Sequence, residues 1–216
     1  PFYIQKPFQN TKTLKKSEGK KFQLWSADAE KGNAIAQYNL ALLYVNGYGI
    51  DKNDAKAFKL FSKAAEAGVP QAQRNLGFCY RSGSGVSQDD SKAFLWFRKS
   101  ALNGLADGQF CLAFCYAHGI GVKKDQFEAV KWFQESALNG LPEAQYILGL
   151  RYKIGCGVDK DIVEAFAFFN LASDKQDVAR RKRIQLAKEM TKEQIARGKR
   201  RTKELQEQIK AFLSRN

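Results

Sequence analysis

One unit of sequence recurs four times along this chain, and its fixed interval of 36 residues limits the possible folds more than any other feature. The interval is plain in the leucine series, and tyrosine, glycine, alanine and phenylalanine series keep the same register without an insertion. The leucines are Leu40, Leu76, Leu112 and Leu148. Self-similarity of this length predicts a stacked array of helical repeats, in which each repeat packs on its neighbours.

Each repeat reads as two short amphipathic helices joined by a Gly-X-Gly turn. In the second repeat, Ala72, Leu76 and Tyr80 recur every four residues and form one buried stripe. Pro70 suits the first position of a helix, where no backbone N–H is needed. Gly47 and its equivalents are expected to end the first helix with a positive φ, and the second glycine of each turn lets the chain reverse.

The second helix of each repeat has its own start signal and core residues. Its predicted N-caps are Asn53, Asp89, Asp125 and Asp161. In the third and fourth repeats, Glu128 and Glu164 are predicted to complete a capping box with that aspartate. Bulky residues at the centre of the helix supply most of the core, and they end in Phe61, Phe97, Phe133 and Phe169.

The repeat register also predicts the domain organisation. The fold class is all-α, a right-handed α-solenoid of stacked antiparallel helix pairs closed by a C-terminal capping helix pair. The segments are an irregular leader at 1–16, a half repeat at 17–32 that opens on a Ser17 cap, four repeats at 33–68, 69–104, 105–140 and 141–176, and capping helices within 177–216. The start PFYIQKPF has no initiator methionine, which indicates a trimmed or processed chain.

The capping segment departs from the repeat pattern. It predicts one helix over about 178–190 and a last helix over about 192–213, which begins with a capping box of Thr191 and Gln194. The apolar residues of the last helix recur every seven residues, with Gly198 and Thr202 in the same seam. This spacing leaves two arrangements open, a weak coiled coil between copies and a helix folded back on the array. The oligomeric state therefore stays open.

Charge is concentrated at the two ends of the chain. The net charge is +14, of which residues 1–21 hold +5 and residues 175–216 hold +9, so the repeats between them are neutral. An electrostatic partner should meet the ends first. The predicted basic surface consists of Arg180, Arg181, Arg183, Lys199, Arg200 and Arg201. It gives an alternative function, the binding of nucleic acid or an anionic surface, although solvated charge is the commoner role and nucleic acid is disfavoured as a partner.

Composition excludes some classes of protein. The longest apolar runs are only a few residues, which predicts no membrane span. Four cysteines are present, and their positions give poor disulfide geometry in stacked helices. Reduced, mostly buried thiols favour a reducing compartment, either the cytoplasm or a host cell that receives the protein.

The repeat motif resembles the Sel-one-like repeat, a longer-loop relative of the tetratricopeptide repeat. The motif is A-x-x-x-L-[AG]-x-x-Y-x-x-G-x-G-[VI], followed by the second helix, and AQYNLALLYVNGYGIDKNDAKAFKLFSKAAEAG fits it almost throughout. The resemblance covers residues 17–176. It implies a non-enzymatic adaptor or scaffold, since members of the family, many of them bacterial, serve in host interaction, envelope assembly or signalling. A cysteine-rich branch links neighbouring helices by disulfides, but here the second helices carry no cysteine.

The resemblance also implies a concave groove lined by the first helices, off the buried leucine–tyrosine stripe. Its ligand would be a protein or peptide, and acidic groups would suit the arginines and the lysine. The candidate groove residues, which differ between repeats, are Tyr38, Asn39, Leu42, Arg74, Asn75, Phe78, Arg81, Phe110, Phe114, His118, Tyr146, Leu150 and Lys153. The alternative to a binding groove is a purely structural role, in which the rings pack partly on neighbouring helices and the groove is a solvated face.

Catalytic, metal and cofactor sites find little support in the sequence. Cys111, Cys115 and His118 share one helix face, which is half of a zinc pattern, but no second ligand cluster accompanies the single histidine. The Gly-X-Gly turns follow helices rather than strands and lack the Lys-Ser/Thr ending of a phosphate loop. No nucleophile and base are paired. We therefore expect no catalytic residue, no metal and no cofactor.

Overall fold

A computed structural model describes residues 22–47 and 50–214 of the chain. Through these residues run eleven helices and no strand, which confirms the all-α prediction. The helices are α1 (22–30), α2 (Ala34–Asn46), α3 (Asp54–Glu66), α4 (Pro70–Ser82), α5 (Asp90–Leu102), α6 (Ala106–His118), α7 (Gln126–Leu138), α8 (Pro142–Ile154), α9 (Ile162–Ala172), α10 (Asp177–Ala187) and α11 (Lys192–Leu213). The predicted leader and the Ser17 cap lie outside the described residues.

The chain forms two compact units, one ending at Asp89 and the other beginning at Asp90. Unit 1 contains α1 to α4 and unit 2 contains α5 to α11. Within each unit, helices that follow one another in a repeat pack side by side, as α2 does with α3 and α8 with α9. In the repeats that lie within one unit, the first helix and the second helix therefore pack against each other.

The first helices begin and end where the repeat pattern predicts. Pro70 and Pro142 open α4 and α8, at the position where a missing N–H costs nothing. A left-handed glycine ends each first helix, and its N–H donates to the carbonyl four residues earlier. The four glycines are Gly47, Gly83, Gly119 and Gly155, with φ of 68°, 73°, 74° and 74°.

The second glycine of the turn sits against the preceding repeat, for a reason the sequence did not reveal. Gly85, Gly121 and Gly157 all have a positive φ. A Cβ on Gly121 would also overlap the carbonyl oxygen of Asp90, the first residue of α5. Gly85 and Gly157 are pressed in the same way on the first residues of α3 and α7. The second glycine thus serves both the chain reversal and the contact between neighbouring repeats.

Side-chain caps open α3, α7 and α9 as predicted. Asn53, Asp125 and Asp161 each accept a hydrogen bond from backbone N–H groups in the first turn of α3, α7 and α9. These bonds satisfy donors that have no partner inside the helix.

The capping boxes predicted at Glu128 and Glu164 are wrong. A capping box needs the glutamate to accept from the N-cap backbone N–H. The N–H of Asp161 instead donates to the Tyr152 carbonyl at 2.9 Å, so it is already satisfied. Glu164 accepts from Arg201 Nε at 2.6 Å, and Glu128 likewise pairs with a lysine one turn along. The end of the preceding first helix therefore takes the place of the glutamate.

The repeated apolar residues form the core of both units. Phe61, Phe97, Phe133 and Phe169 are almost completely buried, as are the alanines four residues before them. The tyrosine of a repeat packs on the second helix before it. Tyr80 meets Phe58 edge-to-face at 5.4 Å, and Tyr116 meets Phe94 at 5.5 Å. Such aromatic pairs add to the burial energy.

A buried glutamine in every first helix is a structural residue that the sequence reading missed. Gln37, Gln73, Gln109 and Gln145 are 36 residues apart and all are buried. Three of them donate from Nε2 to the carbonyl of an alanine near the end of the preceding second helix, at 3.1 to 3.2 Å. Each of these carbonyls already accepts the N–H of the glycine three residues later. The glutamine is a second donor, and its own buried amide gains a partner on the preceding helix.

The C-terminal segment caps unit 2 by packing on its last repeat. The capping box of Thr191 and Gln194 is confirmed, and the helix of the first capping segment ends at Ala187, three residues before its predicted end. Both α10 and α11 pack on α9, and α11 also reaches α7. Gly198 lies so close to Phe166 that no Cβ would fit. Of the two arrangements left open by the sequence, α11 adopts the one folded back on the array.

The dual role of the second glycine can be tested with one pair of variants. Gly121→Ala and Gly104→Ala both place an alanine at positive φ, but only the first meets another residue, since nothing lies within 4 Å of a Cβ at Gly104. We expect Gly104→Ala to cost about 1 kcal/mol of unfolding free energy and Gly121→Ala at least about 2 kcal/mol more. Urea unfolding followed by circular dichroism measures both, and equal losses would contradict the contact.

Candidate functional site

Four positions of each first helix lie off the stripe of buried leucines, at intervals of three, four and four residues. We call these residues the first-helix face. In unit 2 they are Asp107, Phe110, Phe114 and His118 from α6, and Glu143, Tyr146, Leu150 and Ile154 from α8. Six of the eight are apolar or aromatic, counting His118 among the aromatic residues. Of these six, His118 and Ile154 are exposed and the other four are half-buried.

The predicted aromatic residues of unit 2 lie half-buried on this face. Phe110 packs on Phe133 with ring centroids 5.4 Å apart, and Tyr146 packs on Phe169 at 5.9 Å. The rings of Phe114 and the exposed His118 have centroids 4.1 Å apart, with their planes tilted by 38°. Packing on core rings holds Phe110 and Tyr146 in place, so these two rings have the structural role that was the alternative to a binding groove. The same contacts also make these rings rigid.

Ile154 is the most exposed apolar residue of the first-helix face and was missed from the sequence. Its side chain is 69% exposed at the last position of α8. It occupies the repeat position of His118, one interval of 36 residues later. Ile35 in unit 1 is exposed to 57% and was missed for the same reason. Tracking solvent-facing positions by register, rather than choosing variable residues, would have found both.

Leu150 and Lys153 of the predicted groove are partly engaged within unit 2. Leu150 packs on the cluster that contains Leu186 and Met190 at the α10 side. Lys153 Nζ lies 3.3 Å from a carboxylate oxygen of Glu189. This ion pair joins α8 to the segment after α10, so Lys153 fixes the edge of the face as well as lining it.

In unit 1 the predicted groove residues are half-buried, and several contact one another. Tyr38 packs on Phe61 at 6.0 Å. The Arg74 guanidinium donates to Asn75 Oδ1 at 3.3 Å and lies over the Phe78 ring at 5.8 Å. Asn39, Leu42 and Arg81 complete the set. Because Asn75 already accepts from its neighbour, it differs from Asn39 despite the shared repeat position.

The predicted basic surface divides into engaged and exposed residues. Arg183 donates to Asn170 at 2.6 Å, Arg201 pairs with Glu164 and Glu204, and Arg180 pairs with an aspartate one turn earlier. These three hold the C-terminal cap to itself and to α9. Arg180 is exposed as well as paired, and Arg181, Lys199 and Arg200 are exposed without an ion pair to any described residue.

A row of lysines lies along one flank of α11. Lys192, Lys199, Lys203 and Lys210 are exposed and follow each other at intervals of seven, four and seven residues. At 100° per residue these positions fall within one narrow arc of the helix. The arc lies beside the buried face made by Gly198 and its neighbours rather than opposite it.

The four cysteines are thiols, and they do not form the half zinc pattern in an accessible form. Cys111 and Cys115 are buried, whereas His118 is exposed. Through residues 22–47 and 50–214, no three ligand-type side chains come together as a metal-binding group. Burial, with a smaller contribution from the Asp54 carboxylate, raises the pKa of the Cys79 thiol to about 11.

Cys156 is the one cysteine that is only half-buried. It lies in a polar cluster at the Gly-X-Gly turn between α8 and α9. Its Sγ is 3.6 Å from Arg151 Nη1 and 3.5 Å from Gln126 Oε1. The Arg151 guanidinium also lies over the Phe133 ring at 5.0 Å. Burial lowers the pKa of that guanidinium.

Comparisons with known proteins identify the family. The sequence model of the Sel1 repeat matches residues 34–69, 70–105, 106–141 and 142–177, so the chain belongs to the Sel1 repeat family. These proteins generally act as protein-interaction scaffolds, and the family is typically non-catalytic. No protein of curated function matches the sequence. In the described part of the chain, no helix has the length and apolar character needed to cross a bilayer.

Solved structures share the repeat fold. A protective antigen from uropathogenic Escherichia coli with the same repeat fold is 35% identical, with a TM-score of 0.80 over 87% of this chain. A Sel1 repeat protein from Oxalobacter formigenes is 31% identical, with a TM-score of 0.70 over 73% of this chain. Cysteine-rich protein B from Helicobacter pylori is 29% identical, with a TM-score of 0.51 over 64% of this chain and all of its own. The chain spans 41% and 65% of the first two structures.

The burial of the thiols predicts their order of reaction with iodoacetamide. At pH 8 a thiol with a pKa of about 11 is only about 0.1% thiolate, so Cys79 should react slowly and Cys156 first. Raising the pH by one unit should speed the labelling of Cys79 about tenfold while the fold persists. Peptide mass spectrometry gives both rates, with Cys156→Ser as the control. Equal labelling of Cys79 and Cys156 would contradict the prediction.

Proposed function

We propose that this chain is a non-enzymatic protein-interaction module and that the first-helix face of unit 2 binds a partner polypeptide. The observation that carries the proposal is the exposure of Ile154 on a face that also presents Phe114, Tyr146 and Leu150. Apolar residues clustered at solvent-facing positions are typical of binding surfaces. Tyr146 and Leu150 also pack on the core, but Ile154 belongs to neither core cluster of unit 2, so packing does not account for an isoleucine at that position.

Binding would come from the burial of these apolar side chains. Covering a well-exposed isoleucine is worth about 1.5–3 kcal/mol, and the rigid aromatic rings lose little entropy when a partner covers them. The acidic residues Asp107 and Glu143 lie at one end of the face, and Lys153 lies toward the other. This polarity would orient a bound segment along the helices.

Unit 1 offers a smaller surface of the same kind. Ile35 is well exposed there, Tyr38 and Leu42 lie on the same helix face, and Arg74 and Arg81 add positive charge on α4. A partner with acidic groups beside apolar residues would suit it. Unit 1 therefore supports the same function independently of unit 2.

The main proposal predicts a difference between two matched variants. Ile154→Asp and Phe127→Asp each place a charge on a strongly exposed apolar residue of unit 2, but Phe127 lies on α7 rather than on the first-helix face. For a partner captured from cell extract, identified and then purified, we expect Ile154→Asp to weaken binding at least about tenfold. Phe127→Asp should leave it within about twofold.

Isothermal titration of the purified partner against both variants measures this difference. Circular dichroism checks that each variant is folded. Equal weakening by the two variants, or retention of binding in Ile154→Asp, would overturn the assignment of the face.

A second candidate function has one observation in its favour. The lysine row of α11 could bind nucleic acid or another anionic surface through contacts to phosphates. Lys192, Lys199 and Lys203 form no ion pair with any described residue, and Lys210 pairs only with the exposed Glu207. Leu205 of α11 is buried, whereas Leu213 near the end of the helix is exposed.

Salt dependence tests the second candidate. If the four lysines contact phosphates of a labelled DNA duplex, log K should fall with log salt with a slope of about −3 to −4. Lys199→Gln/Lys203→Gln should reduce that slope by about 2, whereas Lys123→Gln/Lys124→Gln, on a turn of unit 2, should change it little. Fluorescence anisotropy provides the measurement. An unchanged slope in the α11 variant would exclude the lysine row.

A further inference from the structure

A separate surface of unit 2 lies on the side of the second helices, between α5 and α7. A shallow depression of about 400 Å³ is lined there mainly by Leu102, Trp132, Glu128 and Glu135. Leu102 is 59% exposed although it ends a helix whose other face fills the core. We call this depression the second-helix groove.

Two hydrogen bonds from α7 and the residue after it hold the groove in shape. Ser136 Oγ donates to the Ala106 carbonyl at 2.8 Å, and Asn139 Nδ2 donates to the Gly104 carbonyl at 2.7 Å. Trp132 also packs against the buried cluster of unit 2. The groove is therefore preformed, which reduces the entropy that a ligand would have to remove.

The preceding repeat shows what the tryptophan of this position attracts. Trp96 lies one interval before Trp132, and the Lys99 ammonium sits over its ring at 4.0 Å from the centroid. An ammonium over an indole face is a cation–π interaction, which is strongest with tryptophan. The second repeat thus supplies its own cation to its tryptophan.

The third repeat lacks that cation and carries the opposite charge. Glu135 occupies the position of Lys99, and it forms no ion pair or side-chain hydrogen bond within residues 22–47 and 50–214. Glu128 is paired with Lys131, so those two charges offset each other. The lining of the groove consequently keeps one uncompensated negative charge next to an aromatic ring.

We propose that the second-helix groove binds the side chain of a lysine or arginine from a partner polypeptide. The cationic head would lie over Trp132 and against Glu135, as Lys99 lies over Trp96. The aliphatic stem and a neighbouring apolar residue would cover Leu102. This inference concerns a different face from the first-helix face, and it stands whether or not that face binds a partner.

Both features of the groove point to an organic cation on a chain. A tryptophan face and an exposed leucine suit an alkyl ammonium or guanidinium with a hydrocarbon stem, whereas a metal ion would need a cluster of oxygen, nitrogen or sulfur ligands. A single unpaired carboxylate fixes one positive charge without demanding a second. A lysine or arginine in an apolar sequence context meets these requirements.

Short peptides test the proposal directly. The probes are acetyl-Leu-X-Leu-amides in which X is lysine, arginine, norleucine or glutamate. Norleucine matches the stem of lysine without its charge. The tryptophan indole N–H signals in nitrogen-15 spectra report binding, with Trp132→Phe used for assignment, and the Trp96 signal serves as an internal control because Lys99 already covers that ring.

We expect the lysine and arginine peptides to shift the Trp132 signal. The norleucine peptide should bind at least about fivefold more weakly, and the glutamate peptide should produce no shift. Because one cation–π contact and one exposed ion pair confer weak affinity, titrations should extend to about 10 mM peptide. Equal binding of the norleucine and lysine peptides, or no shift with either cationic peptide, would overturn the proposal.

A charge-reversal variant gives the second arm of the test. Glu135→Lys recreates the arrangement of the second repeat, so it should fold and place its own ammonium over Trp132. It should weaken the lysine peptide at least about tenfold. Glu193→Lys makes the same charge change on α11, outside both proposed surfaces, and should leave binding within about twofold. Binding retained by Glu135→Lys, with circular dichroism like that of the parent protein, would overturn the proposal.

Discussion

The contact between the second glycine of a turn and the start of the preceding second helix is the joint on which the repeat structure depends. At Gly121 the backbone must take a positive φ and also touch the Asp90 carbonyl, and only glycine meets both conditions. Gly85 and Gly157 meet the same conditions in their own repeats. Because this joint brings backbone against backbone, it fixes the distance between neighbouring helices within narrow limits. The buried glutamines then tie the other end of the second helix to the next first helix.

Binding in such a chain depends on the surface positions that do not take part in packing within or between repeats. The leucine, alanine and phenylalanine positions are filled identically in every repeat, and the four positions of the first-helix face vary freely. The second helices have a free outer side as well, and there the third repeat replaces a lysine by Glu135 beside Trp132. Differences between equivalent positions are therefore more informative about binding than any single side chain. Residues that the fold requires recur in every repeat, so the positions that differ are the ones available for binding.

Much of the architecture could be predicted because the same motif occurs in four repeats. Helix bounds, the glycine caps and the phenylalanine core follow from residues that recur in register. Gln145 and its equivalents recur just as strictly, yet a polar residue does not show from sequence alone that its amide reaches a buried carbonyl. Glu164 has the spacing of a capping box, but the backbone N–H of Asp161 that it would accept donates to the Tyr152 carbonyl instead. The hydrogen bond from Arg183 to Asn170 and the ion pair of Arg201 with Glu164 depend on how the C-terminal helices pack. This segment occurs once, so no equivalent position in another repeat could reveal these contacts. Ile154 was missed because exposure follows from helix rotation, which the motif does not display.

The joint at the second glycine also bears on how such a chain can change its length. Each of these contacts involves only two consecutive repeats, since Gly157 meets the start of α7 and Gly121 meets the start of α5. Duplicating or deleting one whole 36-residue unit recreates the same contact at the new junction and leaves every other junction as it was. Recombination within a gene can therefore lengthen or shorten the array in steps of one repeat, whereas the insertion of a single residue in a turn would misplace a glycine against a carbonyl. The unbroken register of the four repeats is the pattern that this selection would leave.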